Sequence, residues 1–272
     1  MNKTALLGAV SVALVFGVPA PLALAAEEPK VESQDWTFIG PFGYFDNAQL
    51  QRGYRVYKDV CAGCHSMNLL SYRNLGEPGG PEFSAEDVEV LAGQVQVPDG
   101  PNEKGEMVQR PGRPSDRFRA PYPNDEVARA RNKGALPPDL SVMAKARPGG
   151  PDYLYALLTG YRQPSQGFEL TPGMHYNAAF PGHQIAMPQP LFDGVIKYTD
   201  GTAPTLDNYA RDVSAFLMWA AEPKLEERHQ LGARVMVFLI AFAVIMFIAK
   251  RTVWSQLHAR AKRKRAAPPT TA

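Results

Sequence analysis

The chain has 272 residues, with 29 lysines and arginines against 27 acidic residues, a formal net charge of +2, and 45% hydrophobic residues. This ordinary hydrophobic content excludes wholesale disorder and collagen-like repeats, and only two cysteines exclude a disulfide-rich scaffold. The 25 prolines and 23 glycines predict many loops. The length allows one good-sized domain with additions or two small domains.

Residues 1–26 have the layout of a secretory signal peptide. Lys3 precedes an apolar run of 14 residues from Ala5 to Val18, and prolines and the small-residue pattern Ala23-Leu24-Ala25 follow. The alternative is an uncleaved anchor, but this run is short for a membrane span. We expect cleavage after about Ala25 or Ala26 and export of the mature protein.

Both cysteines lie in one five-residue stretch, Cys61-Ala-Gly-Cys64-His65. This C-x-x-C-H pattern is the attachment signal of c-type haem. The spacing suits two thioether bonds to the two haem vinyl groups, and the adjacent His65 is directed at the iron as the proximal ligand. The sequence therefore predicts one covalently bound haem c.

Two other readings of this motif stay open at this point. A thioredoxin-like redox pair needs a βαβ context, whereas the flanks here have helical patterns. A structural zinc site needs four ligands, and because the chain has no third cysteine, other histidines would have to complete it. Either case would make the protein a thiol or metal module without haem.

Two amphipathic helices are predicted, one leading into the motif and one near residue 205. The first begins with Asn47 as its N-cap, and Gly53 would allow another helix to approach closely. The second begins with Thr205 as its N-cap and ends at Glu222-Pro223. We predict that they cross and pack beside the haem. The apolar stripe of the first helix consists of Leu50, Tyr54, Tyr57 and Cys61.

The iron of an electron carrier needs a second axial ligand. Met187 has the best context, because Pro188 and Pro190 stiffen an extended loop just before the second predicted helix. His183 and His175 are the next candidates. A methionine ligand raises the reduction potential relative to a second histidine. The remaining candidates are Met67, Met107, Met143, Met174, Met218 and His229.

A second apolar segment, Leu231 to Ala249, has 19 residues, enough for about 28 Å of helix and a bilayer crossing. Its one charge, Arg234, lies near the first end and can snorkel to the headgroups. A buried core helix is the alternative, but such helices are rarely apolar on every face. We predict a membrane anchor over residues 229–250.

The charges around this segment are asymmetric. Residues 250–265 carry seven lysines and arginines and no acid, whereas every acidic residue lies between residues 27 and 230. Basic flanks stay in the cytoplasm and bind anionic lipid, which explains this run better than nucleic-acid binding does. We predict a haem domain at residues 27–228 outside the cytoplasm and a basic cytoplasmic tail at 251–272.

Several segments beyond the haem motif resemble those of one family, the cytochrome c1 family. Its members are the haem c subunit of the quinol:cytochrome c oxidoreductase, the cytochrome bc1 complex. The resemblance covers nearly all of the mature chain, and the order of the segments is more specific than the motif. The segments are 36–43, 52–66, 122–125, 132–141, 149–153, 158–161, 176–177, 180–188, 212–223 and 250–254.

This resemblance implies a mostly α-helical, class I-type cytochrome c domain with long loops and one C-terminal transmembrane helix. It implies Cys61 and Cys64 as covalent attachments and His65 and Met187 as axial ligands. In Pro137-Pro138 a backbone carbonyl, assigned to Pro138, would accept the other N–H of the His65 ring. Arg147 and Tyr153 match positions that contact the haem propionates.

The resemblance also implies a function in electron transfer. The chain would take one electron from the Rieske iron–sulfur subunit and pass it to a soluble c-type cytochrome, beside cytochrome b. The simple export signal at residues 1–26 indicates a bacterial inner membrane as the location. Catalysis would belong to the complex. The alternative is a free-standing, membrane-anchored electron shuttle.

Two segments depart from the pattern or stay ambiguous. Some family members have an extra cysteine pair before the axial methionine, whereas residues 159–168 have none, so packing and prolines alone would hold that loop. Residues 79–116 are rich in Gly, Pro and acids. They would be a solvated surface insertion or a docking patch for a basic partner.

Overall fold

The computed structural model describes residues 31–266, and the predicted signal peptide and the end of the predicted tail lie outside these residues. The described chain is mostly helical, which confirms the predicted fold class. Its α-helices are α1 (Asn47–Asp59), α2 (Ala85–Gly93), α3 (Asp125–Arg131), α4 (Met143–Ala146), α5 (Gly150–Thr159), α6 (Leu206–Ala221) and α7 (Leu225–Ala266).

The strands are short and form two antiparallel pairs within the described residues. β1 (Gln96–Pro101) pairs with β2 (Met107–Pro111), and β3 (His175–Tyr176) pairs with β4 (Gln184–Ile185). Long loops connect the helices, as the proline and glycine content predicted.

Helix α1 packs against α6, which confirms the predicted pairing of the first amphipathic helix with the later one. A Cβ on Gly53 would lie 2.1 Å from the backbone oxygen of Asp212, so only glycine permits this approach. The buried face of α1 includes Leu50, Tyr54 and Tyr57, but not Cys61 of the predicted stripe, because α1 ends at Asp59 and Cys61 lies in the turn that follows. Phe216 of α6 packs against both tyrosines, with ring centroids 5.8 and 5.9 Å away.

The prediction that Asn47 caps α1 is wrong by one residue. Asp46 is the N-cap, and its carboxylate accepts from the backbone N–H groups of Ala48 (2.9 Å) and Gln49 (3.3 Å). Aspartate and asparagine are comparable caps, so composition alone did not separate these neighbours. Thr205 caps α6 as predicted, and its hydroxyl accepts from the Asn208 N–H.

A buried ion pair joins α1 to α6 beside this contact. Arg52 donates to Asp212 from Nε at 2.9 Å, and the Tyr198 hydroxyl donates to the same carboxylate at 2.8 Å. Burial raises the pKa of Asp212, and these donors oppose that shift. The carboxylate is thus held by partners that make its burial tolerable.

Helix α7 is longer than the predicted anchor at both ends. It begins at Leu225, where it still contacts the domain, and continues without a break to Ala266, so the described part of the basic tail is helical. By length and composition it is able to cross a membrane, and from Gln230 to Arg263 every residue is exposed. The helix therefore leaves the domain near Gln230.

Residues 79–116 form an ordered substructure. Val88 and Ala92 of α2 are buried in the core, and Arg110 of β2 forms a two-pronged pair with Asp116 at 2.6 and 2.9 Å. This packing shows how the insertion is held. Whether its exposed acids bind a partner stays a prediction.

Candidate haem-binding site

The cysteine motif forms a tight turn at the C-terminal end of α1. Cys61–Gly63 is a single turn of 3-10 helix, and the Cys61 carbonyl accepts from the N–H groups of Cys64 (3.1 Å) and His65 (2.9 Å). Cys61 is half-buried and Cys64 exposed. Burial raises the pKa of the Cys61 thiol to about 12. Such a thiol carries little thiolate at neutral pH, which disfavours a fast thiol–disulfide couple.

His65 is oriented by a residue 73 positions away. Its Nδ1 donates to the carbonyl oxygen of Pro138 at 2.8 Å. Burial lowers the pKa of the imidazole, and the hydrogen bond to Pro138 opposes that shift only in part. A neutral ring protonated on Nδ1 presents the lone pair of Nε2, which is what a metal-binding histidine requires.

The Pro138 segment is itself clamped to the chain beyond His65. Asp139 accepts from the Ser66 hydroxyl (2.7 Å) and the Asn68 N–H (2.8 Å), and the Leu140 N–H donates to the Ser66 carbonyl at 2.8 Å. Burial opposes ionisation of Asp139, yet its hydrogen bonds to Ser141, Asn68 and Ser66 lower its pKa overall. Sequence reasoning missed this clamp. The only local signal was an aspartate directly after Pro137-Pro138.

The loop that carries Met187 follows β4, and hydrogen bonds hold this region from two sides. The Tyr161 hydroxyl donates to the Met187 carbonyl at 3.0 Å. Fully buried Asn177 accepts from the Ala179 N–H (2.9 Å) and donates to the Leu157 carbonyl (2.7 Å). The expectation that packing and prolines alone hold this loop is therefore wrong, because a hydrogen-bonded framework also supports it.

The alternative ligands His175 and His183 lie in and directly before the short sheet beside this loop. His175 lies in β3 opposite Ile185. The His183 ring stacks on Tyr176 with centroids 5.7 Å apart, and its Nδ1 lies 3.3 Å from the Asn177 carbonyl. Met187 is half-buried and comes directly after β4.

Arg147 and Tyr153 lie close together at the start of α5. Arg147 is exposed, whereas the Tyr153 ring is buried in the core. Burial raises the pKa of Tyr153, and the nearby Arg147 charge partly offsets that shift. Gly149 and Gly150 form the turn between them with positive φ angles of 80° and 52°. A guanidinium beside a phenol is a suitable partner set for carboxylates.

Together these side chains fit a haem c. Two thiols are separated by two residues, a fixed imidazole follows them, a thioether lies in a supported loop, and a cation lies beside a buried phenol. The competing zinc reading gains no support, since within residues 31–266 no group of three or more His, Cys, Asp or Glu is placed to hold a metal ion. The strand pairs of the same region are antiparallel and so provide no βαβ unit.

Comparison with known proteins identifies the family. The Cytochrome C1 family matches residues 36–257, a range that contains the motif, the Met187 loop and most of α7. The chain belongs to the cytochrome c1 family. This is the family of the haem-bearing subunit of the bc1 complex, and the resemblance seen in the sequence is confirmed.

Curated relatives of the cytochrome c1 family are similar over most of this chain. Cytochrome c1 of Rhodospirillum rubrum is 44% identical over 82% of this chain and 87% of its own length. Cytochrome c1-2, a mitochondrial heme protein of Solanum tuberosum, is 44% identical over 92% and 95% respectively. Cytochrome b/c1 of Bradyrhizobium diazoefficiens is 46% identical over 84% of this chain, which spans 36% of that longer protein.

Proposed function

We propose that this chain is a membrane-anchored c-type cytochrome with one haem, and that it serves as the electron-transfer subunit of a quinol:cytochrome c oxidoreductase. It takes one electron from the Rieske iron–sulfur subunit and passes it to a soluble c-type cytochrome. The observation that carries the proposal is the fixed His65 ring beside two cysteines on a chain of this family.

Each of these residues has a separate role in holding the cofactor. Cys61 and Cys64 would hold haem c through two thioethers, and His65 and Met187 would supply the nitrogen and sulfur ligands of its iron. Pro138 fixes the His65 ring by accepting its Nδ1–H, and Arg147 and Tyr153 pair with the propionates. Bound haem c supplies one-electron redox chemistry, so no bond in a substrate is broken.

The chain ends favour one orientation in a bacterial inner membrane. The signal-like N-terminus delivers the haem domain to the periplasm. The exposed apolar part of α7 crosses the bilayer, and the basic residues after it stay in the cytoplasm. Cytochrome b and the Rieske subunit then lie beside α7 and the haem domain.

Rapid mixing of the whole complex tests this electron path. Quinol should reduce haem c, and oxidised soluble c-type cytochrome should then re-oxidise it. Complex depleted of the Rieske subunit should show no reduction by quinol, because the donor is missing. Reduction at an unchanged rate in the depleted complex would contradict the proposed donor.

The free-standing shuttle predicts a different result in extraction. Mild detergent would release such a cytochrome alone, whereas a subunit of the complex migrates with cytochrome b and the Rieske protein. Native gel electrophoresis with haem staining separates the two cases.

A further inference from the structure

The segment Trp36–Phe45, here called the aromatic loop, has an unusual composition. Its ten residues carry no charge and include five aromatic side chains. Trp36, Phe38 and Phe45 point into the core, where Trp36 and Phe38 stack at 5.3 Å. Three other apolar side chains point outward, and the exposed fractions are 59% for Ile39, 85% for Phe42 and 57% for Tyr44.

The aromatic loop is fastened to the first turns of α7. The Phe45 N–H donates to Glu226 Oε1 at 2.8 Å, and His229 Nδ1 donates to the Gly43 carbonyl at 3.1 Å. Gly43 lies so close to the loop's own backbone that a Cβ there would be 2.3 Å from the Phe38 carbonyl oxygen. The loop is therefore held against α7 in one conformation.

This attachment places the loop where the helix leaves the domain. Gly43 is bonded at the level of His229, only two residues or about 3 Å of helix before Leu231, where the long apolar stretch begins. A bilayer that surrounds α7 from Leu231 onward therefore meets the loop at its surface. The headgroup layer is where aromatic side chains concentrate in membrane proteins.

The backbone of the loop suits this environment as well. The N–H groups of Ile39, Gly43 and Tyr44 donate to carbonyls within the loop at 3.0–3.3 Å. Pro41 has no N–H to satisfy. Together with the bond from the Phe45 N–H to Glu226, these bonds satisfy part of the loop's backbone, which lowers the cost of approaching the hydrocarbon boundary.

We propose that the aromatic loop is a second membrane contact, in which Ile39, Phe42 and Tyr44 seat in the phospholipid headgroup–acyl boundary beside α7. The proposal rests on the proposed bilayer crossing of α7. A lipid surface is favoured over a protein partner because the loop is uncharged and is bonded to α7 two residues before the exposed apolar stretch begins. Two contacts would fix the tilt and rotation of the haem domain over the membrane.

Site-specific photo-crosslinking of the full chain in its native membrane tests this contact. The photoreactive residue p-benzoylphenylalanine replaces Phe42, and mass spectrometry after illumination identifies what it has bonded to. The same residue in place of Phe238, within the apolar part of α7, reports on the span. In place of Met107, an exposed residue of β2, it gives the matched control on the domain surface.

The expected result is phospholipid adducts at positions 42 and 238 and none at 107. A lipid adduct at position 238 together with a polypeptide adduct at position 42 would assign the loop to a partner subunit and overturn the proposal. Lipid at 238 with no adduct at 42 would overturn it too, while the span would stand. Absence of lipid at 238 would instead contradict the membrane anchor itself, and the loop proposal would fail with it.

Discussion

The Nδ1 of His65 and the carbonyl oxygen of Pro138 lie 2.8 Å apart, although 73 residues separate them along the chain. This contact joins the motif at the end of α1 to the loop before α4. The hydrogen bond fixes the orientation of the ring and leaves the lone pair of Nε2 available to bind a metal. The geometry of the proposed iron site therefore depends on long-range packing as well as on the motif.

Asp139 should act as a positioning residue for this contact. We expect Asp139→Asn to weaken the hydrogen bonds to Ser66 and Asn68 and to lower the free energy of unfolding by about 1–3 kcal/mol. If the clamp positions His65, the variant should also shift the reduction potential of the bound haem, measured by redox titration.

The matched control is Asp87→Asn. Asp87 accepts from the Ser84 hydroxyl at the same 2.7 Å but lies at the start of α2. It should lose a little stability and keep the parent potential. Equal potentials for the parent and both variants would show that Asp139 supports only the fold.

Met187→Leu tests the second axial ligand. Leucine conserves the apolar volume but removes the sulfur, so the reduction potential should fall and ferric iron should accept added imidazole. Spectroscopic titration with imidazole and a redox titration measure both effects. Met174→Leu, at another half-buried methionine of the same region, should leave both unchanged. If Met187→Leu keeps the parent potential and does not bind imidazole, while His183→Ala or His175→Ala loses the native spectrum, that histidine is the second axial ligand.

Gly53→Ala tests the close packing of α1 on α6. The new Cβ would lie 2.1 Å from the Asp212 backbone oxygen and 2.6 Å from Phe216 Cβ, so the helices must separate. We expect a loss of about 1–3 kcal/mol or more in the free energy of unfolding, measured by chemical denaturation. Gly93→Ala is the control, because its Cβ would meet no atom within 4 Å. A fully stable Gly53→Ala would contradict the observed approach.

The ion pair between Asp116 and Arg110 should make the stability of residues 79–116 depend on pH in the acid range. The hydrogen bond from Arg110, followed by that from the Arg113 N–H, lowers the pKa of Asp116 from 3.8 to about 2. A carboxylate with a lowered folded-state pKa stabilises the fold above pH 4 and loses that effect as the pH falls toward 2. Parent and Asp116→Asn should differ in thermal unfolding at pH 5 and converge toward pH 2.

The control for this titration is Glu103→Gln, an exposed acid between β1 and β2. It should follow the parent at every pH. A constant gap between parent and Asp116→Asn from pH 5 to pH 2 would show that the ionised pair does not cause the difference.

The sequence carried enough local information for the motif and the two principal helices. Five residues define the attachment signal, and capping residues located the starts of α1 and α6 to within one position, with Asp46 in place of Asn47 as the error. The proline context and the family resemblance both point to Met187, and the resemblance points to Arg147 and Tyr153, and these three roles stay predictions. These are features in which neighbouring residues determine the outcome.

The supporting interactions were not predictable in the same way. Asp139 with Ser66, Asn177 with Leu157, and Tyr161 with Met187 are pairs separated by 20 to 73 residues. No local pattern marks such partners, because they depend on how the loops fold back on the helices. The hydrogen bonds between the aromatic loop and α7 are long-range contacts of the same kind.

Reduced-minus-oxidised visible spectra with pyridine haemochrome analysis test the central claim most directly. The purified full chain should give a c-type spectrum, retain its haem through acid–acetone extraction, and titrate as a single one-electron couple with a clearly positive potential. A protein made in a host able to attach haem c that shows no haem band, or that releases its haem to the solvent, would contradict the account.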